Sequence, residues 1–160
     1  MFDEIDLKIL SRLQENGRIK RSELSAEVGL SLPSLSDRIK KLEAKGVIEG
    51  YYAKINRSAF GYDLMALISV IMDSSKNYKK LITHVNKHAE IIECYAVLGE
   101  GSHILKVLVK DRAALEKLLA KIQSWTGVTR TVTSFILSTI KETNNLKINT
   151  NEGNNGKSKN

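Results

Sequence analysis

Apolar residues over the first 60 positions recur three and four apart, whereas beyond Leu64 they gather in short blocks that alternate with further helical stripes. Ile5, Ile9, Leu10 and Leu13 predict a first helix from Asp3 to about Asn16, with acidic residues in its first turn and Asn16-Gly17 as its stop. A second helix is predicted to open at Ser22 as N-cap and close at Gly29, with Leu24 and Val28 inward. A third runs from Ser31 to Lys45, with Pro33 in its first turn and Gly46 as its stop. Val47–Ile55 reads as strand, turn and strand with Gly50 at the bend, and Arg57–Tyr62 as a linker. Two short helices around a tight turn, followed by such a wing, have the dimensions of a DNA major groove.

The second half changes period. Leu64–Met72 is a predicted strand, Asn77–His88 a helix with Tyr78, Leu81, Ile82 and Val85 inward, and Ile91–Leu98 and His103–Lys110 two strands. Asp111 caps a helix striped by Leu115, Leu118, Leu119 and Ile122, and Val128–Thr139 is a Thr- and Val-rich last strand. The order β-α-β-β-α-β specifies a ferredoxin-like sandwich, so the class is α+β. Two helices cover one face of such a sheet, yet Leu64–Met72 is apolar at nearly every position, as is Ile91–Leu98 apart from Glu93, so both faces of these strands expect cover. The simplest cover for the second face is the same sheet of another copy. An obligate homodimer follows, with two reading helices for a pseudo-palindromic site.

Composition adds less. Apolar residues make 42% of the 160 and charged ones 27%, which suits packed cores and a soluble surface. The net charge of +7 favours a polyanionic partner, but residues 1–60 hold only 11 Lys and Arg against 9 Asp and Glu. Placement therefore matters more than total. Cys94 stands alone, which excludes an internal disulfide and favours a reducing compartment. Asp3, Glu4 and Asp6 stand where a signal peptide would be basic, and no apolar run is long enough for a bilayer. A cytoplasmic, nucleoid-associated protein without membrane contact is expected. The expected domains are 1–61 for DNA, 62–142 for the sandwich and 143–160 as a tail. From Asn144 to Asn160 the tail is rich in Asn, Gly and Lys and is expected to be disordered.

With Leu35, Ile39 and Leu42 as the buried line of the third helix, its opposite face carries Pro33, Asp37, Lys40, Lys41 and Ala44, flanked by Ser34 and Ser36. Small polar residues at the N-terminal end can approach base edges, and the two lysines suit phosphate or guanine. The hydroxyls of Ser31 and Ser34, with first-turn N–H groups, can hold a phosphate. Arg38 lies nearer the buried line, placed to reach a phosphate or to brace the second helix. Asp37 repels phosphate, so it either accepts from a cytosine amino group or pairs with Lys40 or Lys41.

Three stretches carry a family resemblance: DEIDLKILSRLQENGRIKRSELSAEVGLS, SDRIKKLEAKGVIEGYYAKIN and GVTRTVTSFILSTIKE. From Phe2 to about Glu142 the chain resembles the Lrp/AsnC, or feast/famine, transcription regulators. The resemblance implies a winged helix-turn-helix on Arg21 to Lys40, which adds Arg21 and Ser22 to the DNA-contacting set. It also implies a C-terminal module of the RAM/AsnC type that dimerises, assembles into tetramers or octamers and binds an amino acid or related small metabolite, with no cofactor. In that family the loop between the middle strands commonly reads Gly-Asp/Glu-x-Asp-Tyr/Phe, whose aspartate helps form the effector site. Here it reads Gly99-Glu100-Gly101-Ser102-His103, so a negative partner for an α-ammonium is missing. Weakened or altered amino-acid binding is expected, and Thr131, Thr133 and Ser138 resemble polar positions of the same site.

Other constellations carry less. His84 and His88 share a helix face at a zinc-binding spacing but lack a third ligand nearby in sequence, so an exposed helix surface is expected and no metal. Cys94 suits packing, and Trp125 suits a domain or dimer boundary. An effector-binding assembly protein and a tetrapyrrole (siroheme) decarboxylase share this architecture. The decarboxylase's His-Asn-Tyr-type and Tyr-Asn-x-Trp-Phe-type stretches are missing here, and a regulator rather than an enzyme is expected.

Overall fold

The computed structural model describes residues 2–99 and 101–148. The chain divides into two compact units, one holding the chain up to Lys54 and again from Lys141, the other Ile55–Ile140. The expected boundaries lay at 61/62 and 142/143. The second unit takes in the 3-10 turn Arg57–Phe60, whose Arg57 Nη1 reaches Met65 Sδ at 3.4 Å.

In the first unit α1 is Glu4–Glu15, α2 Arg21–Val28 and α3 Leu32–Ala44. Asp3 caps α1 by accepting the Asp6 N–H at 2.8 Å. Ile9, Leu24, Val28, Leu35, Ile39 and Leu42 make one buried cluster with Ile19, so each helix turns its apolar stripe inward. Two arginines tie the helices at the rim. Arg12 holds Glu27 of α2 with two bonds of 2.6 and 3.0 Å, and Arg38 of α3 holds Asp3 at 2.6 Å and Asp6 at 2.7 Å.

Two local expectations need correction. Ser22 is not the N-cap of α2: Lys20 holds that position without a side-chain bond, and Ser22 lies inside the first turn. Val47–Ile55 forms no ladder either. The N–H groups of Val47 and Ile48 both bond back to the Leu42 carbonyl, and the chain beyond has neither helix nor strand up to Asn56, with Tyr52 and Ile55 exposed. A lone two-strand ribbon with no third strand to rest on is marginal in water. Of the tail, Asn144–Ile148 lacks helix or strand, yet Gln14 binds both the N–H and the carbonyl of Leu146, at 2.7 and 3.3 Å. Asn149–Asn160 lies outside the described residues.

The second unit contains β1 Leu64–Met72, α4 Tyr78–Val85, β2 Ile91–Ala96, β3 His103–Val109, α5 Arg112–Gln123 and β4 Val128–Phe135. The strands form one antiparallel sheet in the order β2-β3-β1-β4, which is the ferredoxin-like arrangement. Ala66, Ile68 and Val70 of β1 and Leu105, Val107 and Val109 of β3 face the helices and are buried with Leu81, Val85, Leu115, Leu118, Ile122 and Trp125. Burial on this scale is the main source of the unit's stability.

The opposite face stays open in the single chain, with Leu67 37%, Val132 42% and Tyr95 53% exposed. At its centre the Lys106 ammonium meets Glu93 at 2.9 Å. Strand ends fall short of the apolar blocks, because β2 stops at Ala96 and β4 at Phe135. Ile82, expected inward, is 48% exposed: α4 is only two turns long and buries one narrow stripe, Leu81 and Val85. His84 and His88 are not free surface groups. Both are half-buried and stack on Trp125, with ring centroids 5.1 and 5.5 Å away, inside this unit's own core.

Candidate DNA-reading surface and effector loop

The reading helix is assembled from its ends inward. Gly29 takes a left-handed φ of 69°, a conformation costly for a side chain, and so turns the chain sharply from α2 towards α3. Ser31 then caps α3: its hydroxyl accepts the Ser34 N–H at 3.3 Å and bonds the Ser34 hydroxyl at 2.9 Å. That pairing corrects the expected phosphate cradle. The Ser34 N–H is already used and Pro33 has none, so the first turn holds fewer donors for an anion than its two serines suggest.

Leu35, Ile39 and Leu42 are all buried, which turns the outer face of α3 away from the core. Ser31, Pro33, Ser34, Asp37, Lys40 and Lys41 are exposed there, Ser36 is half-buried at the flank, and Arg21 and Ser22 are exposed at the start of α2. Among the described residues Lys40 and Lys41 make no ion pair, and Asp37 pairs with neither.

Arg38 does not brace the second helix. It braces α1 instead, and the two carboxylates raise its pKa while Asp3 is held low, first by the Asp6 N–H and then by Arg38. Through these bonds the arginine fixes α3 against α1.

Sequence reasoning missed Lys45, one turn beyond Lys41 on the same face; its four-residue spacing was the available signal. Phe2, Asp6, Arg38, Lys41, Leu42 and Lys45 line a depression of about 240 Å³. Tyr51 was also missed. Its hydroxyl donates to Glu43 at 3.0 Å and its pKa is raised, mainly by burial and then by that carboxylate.

In the second unit the loop residues are held by the neighbouring strand. The Ser102 N–H and hydroxyl both donate to the Val70 carbonyl, at 3.0 and 3.1 Å. Because a hydroxyl has one proton, His103 then donates to Ser102 Oγ from a protonated Nδ1, 3.0 Å away. His103 is only 3% exposed and meets the edge of Tyr78 at 4.8 Å. Burial lowers its pKa by disfavouring the charged ring.

Val70 pairs with His103 on one side and Thr131 on the other, so the loop's end and Thr131 flank one strand. Thr131 accepts a bond from Gln123 at 3.1 Å, and with Arg130 and Thr129 it lines a depression of about 320 Å³. Thr133 is half-buried opposite Ile68. Gly99 and Gly101 belong to the same loop, while Glu100 lies outside the described residues. Ser138 lies exposed beyond the end of β4, and among the described residues no bond ties it to this site. No cluster of three His, Cys, Asp or Glu side chains able to hold a metal occurs among the described residues. No helix among them is long and apolar enough to cross a membrane.

A trihelical reading unit joined to a βαββαβ sandwich defines a class of ligand-responsive DNA-binding regulators. Comparison with known proteins gives the family. Residues 2–49 match the model for a winged helix-turn-helix DNA-binding domain, and residues 65–146 match the Lrp/AsnC ligand binding domain. The HTH-type transcriptional regulator FL11 of Pyrococcus horikoshii is 36% identical over 147 residues, 92% of this chain and 97% of its own. The leucine-responsive regulatory protein of Escherichia coli K12 is 35% identical over 152 residues, 93% of each chain. Among solved structures, a Neisseria meningitidis transcriptional regulator in complex with L-Met superposes with a TM-score of 0.88 at 33% identity, covering 93% of this chain and 98% of that one. Escherichia coli AsnC superposes with a TM-score of 0.83 at 28% identity, covering 89% and 96%. The chain belongs to the Lrp/AsnC family of transcriptional regulators.

Proposed function

We infer that this regulator works as a dimer or higher assembly that reads a pseudo-palindromic operator with one α3 from each copy, in the cytoplasm and on the nucleoid. The observation that carries the reading is α3 itself, rooted by Leu35, Ile39 and Leu42 with Lys40, Lys41 and Lys45 on its solvent side. Pro33, Ser34, Ser36 and Asp37 face the base edges, with Ser31, Arg21 and Ser22 at the approach to the backbone. Dimerisation is supported by the open sheet face, where Leu67, Val132 and Tyr95 expose apolar area that a second sheet would bury.

The effector is an amino acid or a related small metabolite, met by Gly99–His103 with Thr131 and Thr133. The Neisseria relative's L-Met complex supports that ligand class. Ser102 offers no negative charge to an α-ammonium, which favours a ligand whose amino group is absent or masked. Ligand stabilising one assembly over another would change the spacing of the reading helices and hence operator affinity.

Salt-dependent binding to duplex DNA tests the reading. Lys40→Ala and Lys41→Ala should each weaken binding across sequences and flatten the salt dependence by up to about one unit of slope. An unchanged slope removes that lysine from the phosphate contacts. No preference of the unaltered protein for any duplex over random competitor overturns the reading.

A further inference from the structure

The positive charge of the second unit is concentrated on its helical side. Between residues 74 and 88 the chain has four lysines, two histidines and no carboxylate; between 112 and 123 it has three cations and one carboxylate. The rest of residues 55–140 carries four cations against six carboxylates. The helical layer is therefore the basic side of an otherwise slightly acidic unit.

All seven cations, Lys76, Lys79, Lys80, Lys87, Arg112, Lys117 and Lys121, are exposed. Among the described residues only Arg112 forms an ion pair, with Glu116 at 3.2 Å. The inward side of the same helices is used up by the core through Leu81, Val85, Leu115, Leu118 and Ile122. Uncompensated like charges crowded on one layer repel each other and cost stability. A polyanion laid on the layer relieves that cost.

We propose that the outer face of α4 and α5 is a second, sequence-independent contact surface for the phosphate backbone of duplex DNA. Charge complementarity selects the occupant. With Lys76 in the turn before α4 and Lys87 in the turn after it, the stripe spans at least the roughly 12 Å of α4 itself, a length over which a duplex presents about seven phosphate charges. The surface has exposed lysines but offers no aromatic platform for unpaired bases, because Trp125 is buried and Tyr78 is half-buried against His103. A contact of this kind adds affinity and salt dependence without specificity. Sheet-to-sheet pairing would leave this layer uncovered on both outer sides of a dimer, open to duplex that the reading helices leave free. The inference rests on the DNA-binding reading for the identity of the polyanion.

The test uses the full chain, with Lys79→Gln, Lys80→Gln and Lys87→Gln combined, since these exposed substitutions leave the core untouched. Binding is measured against salt on a duplex of about 20 base pairs, two helical turns, and on one several times longer. On the long duplex the slope should fall by about one unit for each lysine that meets a phosphate; on the short duplex, filled by the reading helices, it should stay unchanged. An unaltered slope on the long duplex overturns the inference. A smaller particle by light scattering with that unaltered slope also overturns it, assigning the face to contact between copies. The two readings fail separately: Lys40→Ala and Lys41→Ala report on the reading helix through the short duplex, the lysine triple on the helical layer through the long one.

Discussion

Replacing Leu35 with alanine should take most of the reading unit's stability while the sandwich stays as firm as before. Leu35 is fully buried and shares a cluster with Ile9, Leu24, Val28, Ile39 and Leu42. Losing three carbons forfeits about 2.4 kcal/mol of transfer free energy, and the void left by incomplete collapse adds about 1 to 2 kcal/mol. A unit of this size, at about 0.1 kcal/mol per residue, has only about 5 kcal/mol to lose. The sandwich has a separate core. Amide hydrogen exchange resolves the two: protection in α1–α3 should drop about 100-fold or more while β1–β4 is unchanged. Ile39→Val, a smaller excision costing about 1 kcal/mol, should shift the same amides by less than tenfold. A change under tenfold for Leu35→Ala, or equal loosening of the sheet, would refute the reasoning that this cluster is the main support of α3 and separate from the sandwich core.

The remaining expectations concern the second unit. Burial lowers the His103 pKa below its ordinary 6.5, so the unfolded chain takes up the proton first and stability declines as pH falls below that value. His103→Phe should flatten that decline between about pH 6.5 and 5; an imidazole resonance titrating at or above 6.5 in the folded protein contradicts it. Leu67→Glu puts a charge on the open face and should shift sedimentation from dimer to monomer, and an unchanged mass speaks against sheet-to-sheet pairing. Ser102→Asp restores a carboxylate and should tighten the binding of L-amino acids by roughly tenfold, the effect of one charged hydrogen bond. Calorimetry across an amino-acid panel with no gain would rule out that explanation of the altered loop.

Much of this molecule was legible because the signals are local. The buried line Leu35, Ile39 and Leu42 follows from 3.6-residue spacing, and β1 occupies Leu64–Met72 as its apolar block predicts. Gly29 and Pro33 punctuate the turn where their backbone chemistry requires. The wing misled because two short apolar runs around Gly50 look the same in sequence whether or not they pair with each other. The histidines misled similarly: a spacing of four puts His84 and His88 on one face, but only the fold brings Trp125 against it.

Residue order by itself determined the helices, the strands, their sequence and thereby the α+β class, since hydrophobic period and capping chemistry act within a few residues. Tertiary structure alone decided that Arg38 reaches Asp3 and Asp6, that Gln123 holds Thr131 and that Ser102 spends its proton on Val70. The partners in those bonds stand 8 to 35 residues apart. No local pattern encodes which polar group another will meet, because packing of the two cores brings them within reach.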